Sequence, residues 1–135
     1  MALDTVVFEQ QVAPLMAELL ASANAHDVDR HCAAYAREPA LFLIANGEII
    51  PGWDAYRERQ RQWWDDGRAA GEYAYRGEIA YQPLSADFGL TTAIILARRH
   101  LPDGQVRERE VVFTALWNCR SEGWRITYAH ESSAR

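Results

Sequence analysis

The sequence predicts an α+β domain, with helices from the first half of the chain packed on one face of a sheet built mainly from the second half. Three observations predict it. Apolar residues recur at helical spacing up to about Asp66, interrupted by one Asn-Gly hairpin signal. From about Tyr73 onward the period falls to two, over several long stretches. Short turns rather than linkers separate those stretches, and the 135 residues make one domain, residues 1–135.

The first segment, about Asp4 to His26, places Phe8, Val12, Leu15 and Leu19 on one helical face, with Met16 and Ala23 beside them. Asp4 is its N-cap, because an Asp oxygen accepts from the free N–H groups of a first turn. Pro14 lies inside the pattern and predicts either a kink or a frayed start before the true helix. A second short helix follows Asp27 through VDRHCAAYA, with Val28, Cys32 and Tyr35 on one side. Pro39 ends it, since the residue before a proline avoids helical dihedrals. Ala40–Ala45 is a short apolar strand, Asn46-Gly47 the hairpin turn, and Glu48–Ile50 the returning strand. Pro51-Gly52 breaks that strand. A third helix, about Trp53 to Asp66, sets Tyr56, Gln60, Trp63 and Trp64 on one side and Arg57, Glu58, Arg59 and Arg61 mostly outward.

After Gly67 and Gly71 the chain reads as sheet. Tyr73, Tyr75, Ile79 and Tyr81 alternate with Ala74, Arg76, Glu78 and Ala80. Pro83–Asp87 is a turn and Phe88–Leu101 a long strand. Pro102-Asp103-Gly104 turns it, because proline presets φ and glycine takes the left-handed position. Val106–Cys119 and Trp124–Ser132 are the last strands, joined by Arg120–Gly123. The strand from Phe88 is apolar on both faces: Leu90, Ile94 and Leu96 on one, Ala93, Ile95 and Ala97 on the other. One layer of helices covers one face, so a homodimer is expected to cover the other.

Composition removes several function classes. Hydrophobic residues are 49% and charged residues 24%, the balance of a soluble globule. The net charge is −5 with no basic block, which argues against nucleic acid. No run of about 18 apolar residues suits a membrane span. There is no charged n-region followed by an apolar h-region, and only two cysteines, so a cytoplasmic protein is expected. All 14 basic residues are arginine, which excludes Schiff-base chemistry on a lysine and a P-loop. His26 and His31 are five apart, do not share a helical face and have no further ligand cluster, so neither a metal nor another cofactor is expected. Cys32 and Cys119 read as small buried hydrophobes.

Three stretches resemble the nuclear transport factor 2-like superfamily, and within it the SnoaL-like proteins. They are AHDVDRHCAAYA, PALFLIANGEIIPGWDAY and ALWNCRSEGWRITYAHES. The resemblance implies a cone, with three N-terminal helices packed on a strongly curved, mainly antiparallel sheet and a pocket open at one end. It also implies homodimers formed through the outer face of the sheet. It does not imply one activity, because the superfamily hosts isomerases, hydrolases, cyclases, dehydratases and an association domain of calmodulin-dependent kinase. The ketosteroid isomerase family keeps an aspartate just before the hairpin and an acid on the penultimate strand. The matching stretches here, Leu43-Ile44-Ala45 and Phe113-Thr114-Ala115, hold neither. Steroid-isomerase chemistry is therefore not expected.

The candidate site follows from the last strand. Period-two alternation puts Trp124, Ile126, Tyr128, His130 and Ser132 on one face and Arg125, Thr127, Ala129 and Glu131 on the other. The resemblance implies that Glu131 looks into the pocket and His130 outward. Glu131 and His130 are the two candidate catalytic residues, and a carboxylate in a dry cone has a raised pKa. The competing reading pairs Glu131 with Arg98, Arg99, Arg107 or Arg109. Tyr35, Trp53, Tyr56, Phe113, Ala115, Trp117, Thr127 and Ala129 are the candidate walls for a small, largely apolar or aromatic ligand. The alternating Arg107-Glu-Arg-Glu110 reads as a solvated or dimer-rim ladder. The alternative function is a homodimerisation or association module with a vestigial pocket.

Overall fold

The computed structural model describes residues 4–133. Its elements run α1 (Thr5–Asn24), α2 (Val28–Cys32), β1 (Phe42–Ala45), β2 (Glu48–Pro51), α3 (Trp53–Trp63), a short 3-10 turn (Asp65–Gly67), β3 (Glu72–Pro83), β4 (Phe88–His100), β5 (Val106–Arg120) and β6 (Gly123–Ser133). The six strands form one sheet in the order β2-β1-β6-β5-β4-β3. Only β1 and β6 run parallel; every other pair is antiparallel. The three helices pack on the inner face of this curved sheet.

Local chemistry accounts for most boundaries. Asp4 caps α1, accepting from Val6 N–H at 2.7 Å, and Asp27 caps α2, accepting from Arg30 N–H at 3.1 Å. Pro14 neither frays nor ends α1; the helix runs through it, with the proline ring on the exposed side. Asn46 and Gly47 both have positive φ, 53° and 78°, as a two-residue hairpin turn requires. The 3-10 turn makes α3 three residues shorter than the expected Trp53–Asp66.

The second helix is also shorter than its apolar pattern suggests. It stops at Cys32, and the next residues join the sheet: Ala36 N–H donates to Ile126 O at 2.8 Å, and Ile126 N–H to Ala34 O at 2.9 Å. Tyr35 is thus held by a parallel bridge to β6, not by a helix. A bond to a strand remote in sequence overrides the local period.

The core lies between the sheet's inner face and α1. Phe8, Val12, Met16 and Leu19 are buried on α1, facing Thr91, Ala93, Phe113, Ala115, Trp117, Ile126 and Ala129 of the sheet. Trp117 Nε1 donates to Thr91 Oγ1 at 2.9 Å, so both buried polar groups are satisfied. The expected burial of both cysteines is half right: Cys32 is buried, while Cys119 is exposed near the end of β5. No helix among the described residues is long and apolar enough to cross a membrane.

One irregularity changes the face assignment of β6. Leu116 pairs with Tyr128, yet Trp117 pairs with Ile126, so Thr127 is an extra residue bulged from the ladder. The bulge inverts the alternation. Trp124 and Ile126 are buried on the same inner face as Ala129 and Glu131, while Tyr128 and His130 are exposed on the outer face. The unbroken alternation from Trp124 is therefore corrected.

Candidate functional site

Three cross-strand rows on the inner face build one end of the fold. Ala45, Glu131, Phe113 and Ala93 stand side by side on β1, β6, β5 and β4. The next row is Val111, Ile95 and Tyr75, and the one beyond it Arg109, Ala97 and Tyr73. Leu19, Leu20 and Ala23 of α1, His31, Tyr35, and Gln60, Trp63 and Trp64 face these rows across a cavity of about 340 Å³. That volume is at the small end of the range for small-molecule sites, and the lining is mostly apolar and aromatic.

Glu131 projects from the first row into this space. The small side chain of Ala45 beside it leaves room, and Phe113 flanks it on the other side. Its carboxyl makes no hydrogen bond or ion pair among the described residues. Burial pushes it above its ordinary value of 4.5, and the charge of Arg109 at the cavity mouth opposes that shift without cancelling it. Of the four arginines considered as partners, Arg98 instead pairs with Glu108 at 2.8 Å. The Arg107–Glu110 ladder is accordingly divided: Glu108 and Glu110 pair with Arg98 and Arg76, while Arg109 belongs to the cavity wall.

A connected aromatic cluster forms the helix wall and backs it. Tyr35 and Tyr56 have ring centroids 4.5 Å apart, and burial holds both phenols well above their ordinary value. Tyr56 donates to Gln60 Oε1 at 3.1 Å, and Trp64 Nε1 donates to Tyr73 Oη at 3.0 Å. Trp64 and His31 also pack in a T-shaped arrangement, with ring centroids 4.9 Å apart. His31 Nδ1 lies 3.1 Å from Leu19 O and 3.0 Å from Ser22 Oγ. A carbonyl only accepts, so Nδ1 carries the proton and Nε2 is a bare acceptor. Burial pushes the imidazole down to about 4, keeping it neutral.

The cavity is bordered by some of the expected walls and not by others. Tyr35, Phe113 and Glu131 line it. Tyr56, Ala115, Trp117 and Ala129 do not; they are buried in the closed half of the fold. Trp53 lies elsewhere, donating to Cys32 O at 2.9 Å under the Arg37 guanidinium. Thr127 is taken out of the inner rows by its bulge and donates to Leu116 O at 3.4 Å. His130 points to the opposite face of the sheet from the cavity. His31, expected not to bind a metal, and Arg109, expected only as a possible partner of Glu131, both line the cavity. Gln60 carried a usable signal, a polar residue amid Tyr56, Trp63 and Trp64 on the inward face of α3. Among the described residues no group of three or more His, Cys, Asp or Glu is arranged to hold a metal.

A curved six-stranded sheet, three helices packed on one face and a cavity at one end define a nuclear transport factor 2-like fold, and solved structures agree. A superfamily protein from Salmonella enterica superimposes with a TM-score of 0.82 at 16% identity, covering 98% of this chain and 94% of that one. A protein of unknown function from Shewanella oneidensis gives 0.77 at 24% identity, covering 91% and 97%. The association domain of C. elegans CaMKII gives 0.77 at 14% identity, covering 95% and 97%. The SnoaL-like domain family matches residues 12–135, and the chain belongs to that family. No curated protein matches it closely enough to count as a relative.

Proposed function

We propose that the chain binds a small, largely apolar molecule in the cavity and meets its polar atom with Glu131. The observation that carries this reading is the unpaired Glu131 carboxyl in an aromatic, partly enclosed space. Such a group is costly to maintain without a use, because desolvation is not offset by a bonded cation. A carboxyl held above its ordinary range serves as a proton donor or acceptor closer to neutral pH. The chemistry it suits is cofactor-independent proton transfer of the isomerase, cyclase, dehydratase or hydrolase kind. Ketosteroid isomerisation is not the proposal. Ile44 and Thr114 lie on the outer face, and Ala45 and Phe113 occupy the inner positions beside Glu131.

A second reading, an association module, is supported by the outer face of the sheet. Phe42, Ile49, Val112 and Tyr128 are exposed there, with Leu90, Ile94 and Leu96 half-buried beside them. Both readings include a homodimer through this face, in a cytoplasmic protein. Native mass spectrometry of the protein from its host separates them. A retained small molecule, lost in Glu131→Gln, supports the first; a ligand-free dimer carrying a protein partner supports the second.

A further inference from the structure

We propose that His31 is the second recognition group of the cavity, so that the ligand carries an O–H or N–H donor aimed at the helix wall. This rests on the ligand-binding reading of the same cavity. Nδ1 is committed to Leu19 O and Ser22 Oγ, and Ser22 Oγ itself donates to Leu19 O at 3.0 Å. The ring is therefore fixed in one tautomer and one orientation by α1. Nε2, the remaining polar atom of a cavity-lining side chain, has no partner among the described residues. Its environment selects donors over acceptors, because a ligand carbonyl placed there would face a lone pair with no proton between them. Neutrality is preserved by burial, so the site does not select an anion.

The neighbouring groups refine the ligand class. Trp64 packs T-shaped with the His31 ring, and Tyr73 and Tyr35 extend the same wall. Phe113 and Ile95 line the sheet side of the same cavity, so the lining favours a flat, mostly apolar body. Tyr35 lies beside His31, at 6.0 Å between ring centroids, and is close enough to Glu131 to feel its charge. The two polar groups thus stand on opposite walls with Tyr35 between them. The class that satisfies both is a small planar hydroxy compound with a second polar group, its hydroxyl donating to His31 and the second group meeting Glu131.

The test uses three probes of one shape: 2-naphthol, 2-methoxynaphthalene and naphthalene. Affinities are measured by calorimetry, and the nitrogen resonances of His31 are followed by NMR. One neutral hydrogen bond to this otherwise unpartnered acceptor predicts about tenfold tighter binding of 2-naphthol than of the other two. That preference falls to about twofold or less in His31→Phe, which keeps a flat ring but no acceptor. In the wild type, whatever the variant's stability, Nε2 titrates as the unprotonated nitrogen and moves on adding 2-naphthol but not naphthalene. Equal binding of all three probes with an unmoved Nε2 overturns the role of His31 and leaves the cavity reading intact. Binding of none, with no change at Trp64 or Glu131, overturns both.

Discussion

The ring of Phe8 on α1 lies directly against the backbone of Gly89 on β4: a Cβ built at Gly89 would stand 2.3 Å from Phe8 Cζ. Nothing about the Gly89 backbone requires glycine, because its φ is not left-handed; the requirement is the approach of the helix. Gly89→Ala is therefore expected to destabilise the fold by about 1–3 kcal/mol through overpacking. Phe8→Leu in the same background should recover part of that loss. Thermal melts of the single and double variants check the pairing.

Trp124 anchors the other side of the same contact. It is buried, meets Phe8 edge-on at 5.3 Å and donates to Gln11 Oε1 at 2.8 Å. Trp124→Ala should cost about 3–5 kcal/mol, a large share of a small domain's stability. Denaturant unfolding measures it, and a loss below about 1 kcal/mol would remove Trp124 from the core.

The order of elements was legible because their local signals agree with the final packing. The Asn46-Gly47 turn, the Asp4 and Asp27 caps and the alternation in β4 each act over a few residues. What was not legible depends on partners remote in sequence. The bulge at Thr127 is set by pairing with β5 and reverses the faces of β6. Glu131 was placed toward the cavity by resemblance, and the bulge explains how it shares a face with Trp124. The ligand walls drawn from aromatic and small residues mostly fell in the closed half, since composition does not tell a packed ring from a cavity-lining one. His31 became a candidate only when α1 brought Leu19 O to its Nδ1.

His31 predicts an acid-sensitive fold. Its value is about 4 in the folded chain against 6.5 ordinarily, so the unfolded chain binds a proton that the folded chain refuses. Stability is full above about pH 6.5 and falls as the pH drops toward 4. The loss from this group is roughly 2–3 kcal/mol over that window. Melts from pH 7 to 4 in wild type and His31→Phe check it: the variant should lose less across that interval.

The outer face of the sheet predicts the oligomer. Val112 is exposed there, in register with Ile94 on β4. Sedimentation at micromolar concentration should report twice the chain mass, and Val112→Arg should report one chain with an unchanged circular dichroism spectrum. A wild-type monomer would leave the face without its proposed cover.

The central claim is that Glu131 is a cavity group and not a salt-bridge residue. Its carboxyl is raised by burial, so the folded state holds the proton more tightly than the unfolded state between the ordinary value of 4.5 and the raised one. Its charged form is then a cost at neutral pH, and Glu131→Gln should leave the melting temperature unchanged or slightly higher. The direct measurement is an NMR titration of the Glu131 carboxyl carbon in the wild-type protein. The account predicts a midpoint clearly above 4.5, moving further when a ligand fills the cavity. A midpoint at or below 4.5, with a Glu131→Gln variant that melts earlier, would show a residue held by an arginine and contradict it.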